Sequence, residues 1–251
     1  MEIRNEQVIA HPEAERFAAL LQGQVFAELR RRGKFLTLPF DSGDWLTLHL
    51  RMTGQLLVMP RGEPVEKHTH LILSLSDGNQ VRYIDTRRFG RFWLFKKGET
   101  DALTGQSGLG LEPTAPALTA AYLKTRLGKR KTAVKELLHD QTVVAGIGNL
   151  YSDEILFAAG IYPGARCDTL SDADCGRLAK AIPETILWGI EADKMTPEEY
   201  LQGRGKTYRN APALRVYGRF GQPCVRCQTA LRKETVGGRT SCYCPQCQMK
   251  K

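Results

Sequence analysis

Four cysteines near the carboxyl end constrain the fold of this chain more than any other feature. They follow the pattern Cys224-x2-Cys227-x16-Cys244-x2-Cys247. Each pair sets two thiols on one tight turn, and two such turns on facing hairpins bring four sulfurs around a single tetrahedral Zn2+. Two disulfides would use the same residues, but nothing in the sequence points to an oxidising compartment. Cys242 sits two residues ahead of Cys244 and competes with it by proximity, yet only Cys244 completes a second C-x2-C. Cys167 and Cys175 read as bystanders. The expectation is one structural zinc on Cys224, Cys227, Cys244 and Cys247, in a ribbon that closes the chain.

The same region carries the charge. Formal net charge is +9 over 251 residues. Residues 201–251 hold eleven Lys and Arg against the single acid Glu234, which leaves 25 bases against 26 acids in the first 200 residues. A field this local faces a polyanion, and together with a zinc ribbon it points to nucleic acid. No run approaches the roughly 20 apolar residues of a membrane helix. Met1-Glu2-Ile3-Arg4-Asn5 lacks the basic flank and apolar run of a signal peptide, so a cytoplasmic protein with no membrane partner is expected.

Patterning divides the chain. Pro12 to Leu21 has helical spacing and stops at Gly23. Short apolar and β-branched runs follow at Lys34–Phe40, Trp45–Leu50 and Gln55–Met59, and the clearest hairpin joins Leu71–Leu75 to Val81–Ile84 through Asp77-Gly78. Strands at this spacing favour a β-sandwich. From Lys97 to Pro116 the pattern lapses into Gly, Thr, Ser and Pro, the best candidate for a boundary. Helical periodicity then predicts helices over Ala117–Leu127, Thr132–His139, Asn149–Ala159, Ser171–Ala192 (broken or kinked near Pro183) and Pro197–Leu201. The fold class is α+β in two domains, with boundaries expected at 1–110 for the sandwich, 111–210 for the helical part and 211–251 for the ribbon.

Two local motifs carry candidate chemistry. Val143-Val144-Ala145-Gly146-Ile147-Gly148-Asn149 leads into a helix, where Asn149 can cap the helix or bond a phosphate. A dinucleotide fingerprint is a weak reading, because Tyr151 stands where the third glycine belongs and a helix, not a strand-helix-strand unit, precedes it. Between the ribbon arms, Thr235-Val236-Gly237-Gly238-Arg239-Thr240 reads as a hairpin tip with an arginine placed to reach phosphate or the base stack. By pattern alone, Met52 and Phe89 on strand-like segments read as core residues, and Lys34 as a solvated turn residue.

In order, Arg32-Gly33-Lys34, His49-Leu50-Arg51-Met52-Thr53-Gly54, Lys67-His68-Thr69-His70, Asp85-Thr86-Arg87-Arg88-Phe89-Gly90, Gly146-Ile147-Gly148-Asn149-Leu150-Tyr151 and Val216-Tyr217-Gly218-Arg219 precede the cysteine quartet. This series resembles the bacterial enzymes of the formamidopyrimidine-DNA glycosylase/endonuclease VIII family over nearly the whole chain. The resemblance implies an N-terminal β-sandwich, a helix-two-turn-helix module and a zinc ribbon, with damaged double-stranded DNA in the cleft between domains. It implies a monomeric base-excision repair glycosylase and abasic-site lyase acting on oxidised purines. On this resemblance Lys34, Asn149 and Arg239 grip the backbone around the lesion, with His68 and Lys131 as secondary DNA contacts and Lys34 as a supporting catalytic residue. Met52, Arg87 and Phe89 fill the gap left when the damaged nucleotide is extruded. Lys206 lies in Gly205-Lys206-Thr207-Tyr208, where the family has a mobile loop over the everted base; the match there is partial, which leaves lesion preference open.

Members of that family open on a proline followed by glutamate. The proline amine attacks the sugar C1′ to form an iminium, and the glutamate serves in acid/base steps. Aligned on the motifs above, Met1 falls beyond that opening helix, inside the first strand, and Glu2 by its register is not the catalytic glutamate. A late start assignment or a fragment is the expectation, ahead of a noncatalytic damaged-DNA or nucleic-acid-binding relative, since a pure binding module has no use for void-filling residues. Loss of that helix should also expose apolar sandwich surface. The 251-residue polypeptide is predicted to bind abasic or oxidised duplex DNA while giving no covalent adduct on borohydride reduction; efficient trapping would contradict this reading.

Overall fold

The computed structural model describes residues 1–128, 130–203 and 211–250. In chain order its elements are β1 (Glu2–Ile3), β2 (Ile9–His11), α1 (Ala14–Leu21), β3 (Arg30–Arg32), β4 (Phe35–Pro39), β5 (Trp45–His49), β6 (Gln55–Pro60), β7 (Thr69–Ser74), β8 (Asn79–Ile84) and β9 (Arg91–Phe95), then α2 (Ala120–Leu127), α3 (Val134–His139), α4 (Asn149–Ala159), α5 (Asp172–Ala192), α6 (Pro197–Gln202), β10 (Arg232–Val236) and β11 (Arg239–Tyr243). They form two compact units. One is Met1–Ser107 with the segment that begins at Met195; the other is Gly108–Lys194 with the ribbon.

The first unit is a β-sandwich of a four-stranded sheet, β1-β7-β8-β6, and a five-stranded sheet, β2-β9-β5-β4-β3. Alternation along each strand sends one set of side chains inward. Leu46 and Leu48 of β5, Leu71 and Leu73 of β7, Val81 and Tyr83 of β8 and Phe92 and Leu94 of β9 make the shared core. The Asp77-Gly78 turn joins β7 to β8, with Gly78 at φ +88° and the Asn79 amide donating to Asp77 Oδ1 at 2.9 Å. On the other face of the four-stranded sheet, Leu57, Met59 and Ile84 pack against Tyr200 and Leu201 of α6. Sequence periodicity groups α6 with the other helices, but its two apolar side chains find their cover on β6.

A cavity of about 310 Å3 opens among the core strands, lined by residues such as Leu36, Leu46, Leu56, Leu73 and Phe92. Its wall is almost wholly apolar, and Phe26, Leu29 and Val58, which also line it, stay exposed.

In the second unit α2 to α5 enclose Leu123, Val134, Leu137, Leu138, Ile155, Leu156, Leu178 and Ile182. Local signals set the helix ends. The Thr119 hydroxyl accepts the Tyr122 amide at 3.1 Å, and Ser171 and Asp174 form a reciprocal capping box. Gly160, left-handed at φ +67°, stops α4. The break anticipated near Pro183 is absent, and α5 runs unbroken from Asp172 to Ala192. Proline removes one backbone donor at a cost of about 3 kcal/mol; here Leu178, Ala181 and Ile182 on the turns before it and Thr185 after it are buried and offset that cost. Among the described residues no helix is long and apolar enough to cross a membrane.

Candidate nucleic-acid interface and zinc centre

The ribbon brings the four expected sulfurs together, all within 4.8 Å of one another. Cys227 and Cys244 Sγ lie 3.4 Å apart, Cys227 and Cys247 3.5 Å, and Cys224 and Cys247 3.9 Å. Four thiolates about 2.3 Å from a tetrahedral zinc stand roughly 3.8 Å from each other, so the donor set fits one structural Zn2+. Backbone amides of Arg226 and Cys247 donate to the sulfurs of Cys224 and Cys244, each at 3.4 Å, the outer shell that holds ligating sulfur in place. Cys242 is buried outside the quartet. Cys167 and Cys175 are buried too, and burial pushes both thiols up, away from reactivity.

Buried charge fastens the ribbon to the helices. Lys135 Nζ contacts Asp153 Oδ1 at 2.7 Å with both side chains about 1% exposed. Burial pushes Asp153 up and Lys135 down, and their mutual contact opposes it at both ends. Nζ also donates to Thr240 O at 3.0 Å, and Asp153 Oδ2 accepts the Cys242 amide at 2.9 Å, so both charges reach β11. The next carboxylate along α4, Glu154, is fully buried and accepts the amides of Arg215, Val216 and Tyr217 at 2.9 to 3.1 Å. It orders the Val216-Tyr217-Gly218-Arg219 segment that leads into the ribbon.

The hairpin tip follows from its glycines. Gly237 and Gly238 have φ +54° and +73°, the left-handed pair of a two-residue turn closing Val236 onto Arg239. A side chain at Gly237 would also collide with Glu136 of α3. Arg239 is exposed at this tip. Asn149 does not cap α4; Gly148 holds that position, and the Asn149 Nδ2 group donates instead to Thr240 O at 3.1 Å. Asn149 therefore sits beside the strand that carries Arg239, and its buried Oδ1 has no partner among the described residues. Lys131 is exposed just ahead of α3.

In the first unit, Met52, Arg87 and Phe89 form one protruding cluster. Met52 is 72% and Phe89 47% exposed, so the core reading suggested by their strand-like segments does not hold. Arg87 Nη1 approaches Met52 Sδ at 2.9 Å, and its guanidinium lies 4.5 Å over the Phe89 ring. Lys34 is exposed in the two-residue turn between β3 and β4, beside Gly33 at φ +56°. Its charge reaches His49, which burial, Arg51 and Lys34 together bring down to about 4. A neutral ring leaves His49 Nδ1 free to accept the Arg51 amide at 3.0 Å, bracing the Met52 turn. His68 is half-buried, and its carbonyl accepts the Asp85 amide at 3.0 Å. Lys206 lies outside the described residues.

Sequence reasoning missed Lys135, Asp153, Glu154 and Asp85. The signal was present for three of them as charges at inward positions of helices, Lys135 beside Val134 and Asp153-Glu154 before Ile155. Spacing alone does not say what such a charge binds.

Comparison with known proteins covers both units. Residues 1–92 match the N-terminal domain of formamidopyrimidine-DNA glycosylase, residues 109–200 its H2TH domain, and residues 221–248 a zinc finger found in the same glycosylases and in isoleucyl-tRNA synthetases. The formamidopyrimidine-DNA glycosylase of Pelotomaculum thermopropionicum is 39% identical over all 251 residues, which span 91% of the relative. That of Geobacillus kaustophilus is 43% identical over 96% of this chain and 88% of its own, and that of Bacillus subtilis 41% over 100% and 91%. Among solved structures, a complex of the Lactococcus lactis protein with DNA containing a formamidopyrimidine lesion superposes with TM-score 0.90 at 30% identity, covering 99% of this chain and 91% of that one. A complex of the Lactococcus lactis protein with abasic-site DNA gives the same values.

Metal analysis separates the ligands from the bystander. Cys244→Ser should lose the bound zinc and the ordered ribbon, whereas Cys242→Ser should retain one zinc per chain. Zinc loss from the Cys242 variant would overturn the ligand set.

Proposed function

The chain belongs to the formamidopyrimidine-DNA glycosylase family, a family of base-excision repair DNA glycosylases with abasic-site lyase activity, and on that footing we propose how its residues divide the work on damaged duplex DNA. The observation that carries the proposal is the exposed Met52–Arg87–Phe89 cluster. Large apolar side chains held out in water serve no folding purpose, and such a wedge matches the space vacated by an extruded nucleotide. Arg87 supplies the polar member, able to meet the base left without its partner.

The phosphates fall to the basic residues. Arg239 and Asn149, held beside one another through Thr240, grip the backbone, as does Lys34, with Lys131, His68 and Lys206 as further contacts. Such contacts fix register and supply affinity but carry no base identity. Asn149 presents one further feature: its buried Oδ1, unpartnered among the described residues, is an acceptor that a bound water or nucleic-acid donor would satisfy. These residues hold and open the duplex, and Lys34 supports the chemistry at C1′ by its charge. The substrate class we assign is oxidised purines, the enzyme acting as a monomer in the cytoplasm, where its DNA lies.

Competition binding tests this reading. Duplex with an abasic site should displace a labelled probe at a concentration at least roughly tenfold below undamaged duplex or single-stranded RNA, the margin one good hydrogen-bonded or stacked contact confers. Equal competition by all three would return the protein to a general nucleic-acid binder.

A further inference from the structure

Both loops that bear the wedge converge on one carboxylate. Asp85 is fully buried at the end of β8. Its Oδ2 accepts the Tyr83 hydroxyl at 2.7 Å, the Phe89 amide at 2.9 Å and the Gly90 amide at 3.1 Å. Its Oδ1 accepts the Arg87 amide at 3.1 Å and the Thr53 hydroxyl. Burial alone would push this carboxyl up; the hydroxyls of Thr53 and Tyr83 and the amides outweigh it and bring the group down to about 2. The amides of two wedge residues and the hydroxyl next to the third are therefore held by one ionised side chain.

The backbone around it is set for that purpose. Of the three described non-glycine residues with positive φ, two sit in these loops, Arg51 beside Met52 and Arg88 between Arg87 and Phe89, each at +59°. Non-glycine residues hold that conformation only where neighbours over-determine it. The Tyr83 ring fills the space that a side chain at Gly90 or Gly54 would need, and the Tyr83 oxygen stands 1.9 Å from a Gly90 Cβ position. One glycine ends each wedge loop, so Tyr83 fits against both while its hydroxyl reaches Asp85. At the main chain, Asp85 N donates to His68 O, and His70 Nε2 lies 2.7 Å from Asp85 O.

We propose that Asp85 is a positioning residue for lesion recognition, a buried anion that locks the Met52 loop to the Arg87–Phe89 loop so that the wedge is already formed before DNA arrives. The inference rests on the void-filling role given above to Met52, Arg87 and Phe89. Asp85 touches no DNA in this account; it acts by removing the ordering that the loops would otherwise undergo on binding. A cap serving only fold stability would lower stability without altering the choice between damaged and intact duplex.

The test uses the full chain and duplexes with a tetrahydrofuran abasic analogue opposite 2-aminopurine, whose fluorescence rises when the wedge disturbs its stacking. Asp85→Asn keeps the shape but turns one acceptor into a donor facing donors. It should lower the preference for abasic over undamaged duplex by roughly tenfold or more and abolish the fluorescence rise, while affinity for undamaged duplex stays within about twofold. Phe89→Ala is the control and should do the same. Retention of preference and signal by Asp85→Asn, with both lost in Phe89→Ala, overturns the positioning role alone. Retention by both variants removes the void-filling reading and this inference with it. Should Asp85→Asn fail to fold, Thr53→Val at the exposed end and Tyr83→Phe each remove one donor, and an unchanged preference in both overturns the proposal.

Discussion

A carboxylate taken out of water must find donors enough to replace the hydration it loses, and this requirement organises both units. Asp85 meets it with two hydroxyls and three amides. Asp153 meets it with Lys135 and the Cys242 amide, and Glu154 with three amides of the 215–217 segment. Each bond to a charged group contributes on the order of 1.5 to 3 kcal/mol, and an unmet buried charge costs more than that. Several of these donors come from the Met52 loop, the Arg87–Phe89 loop and the 215–217 segment, so the cost of burial is recovered as fixed loops. Those loops carry the exposed residues: Met52, Arg87 and Phe89 in one unit, Arg239 and Asn149 in the other.

The arrangement separates two tasks that nucleic-acid proteins often merge. On the proposed reading, phosphate contacts from Lys34, Asn149, Arg239 and the other basic residues give affinity without discrimination. On the same reading, discrimination falls to a small, partly apolar cluster whose conformation is set by the sandwich and whose proposed insertion needs a gap in the base stack. Positive φ at Arg51 and Arg88, and a neutral His49 bracing the same turn, keep that cluster raised from the sheet. Zinc serves the first task, because the ribbon arms are short and their tip is steady only while the four cysteines and the Lys135–Asp153 pair hold its base.

Much of this was legible in the sequence. The cysteine spacing identified the metal site, Asp77-Gly78 the central hairpin, and helical periodicity the bounds of α4, Asn149–Ala159. The ordered series of motifs pointed to the family. What stayed hidden were relations between distant segments. Periodicity placed α6 with the helices because it has no term for what covers Tyr200 and Leu201. It treated Pro183 as a break because local rules cannot weigh the buried residues on either side of it. Met52 and Phe89 looked like core because alternation records apolarity and not direction; the left-handed residues that turn them outward are ordinary arginines. Asp85 stood inside a quoted motif with no role, since its five donors, drawn from positions 53 to 90, meet only in the folded sandwich.

The central claim is that phosphate grip and lesion discrimination are carried by different residues and different forces, and the salt dependence of binding tests it most directly. Affinity measured for abasic and undamaged duplexes across a salt series should give two parallel lines of log affinity against log salt, because each released counterion belongs to a phosphate contact common to both. The offset between the lines should persist at high salt, since wedge insertion releases no ions. Lines that converge as salt rises would mean that discrimination is itself electrostatic, and would contradict the account.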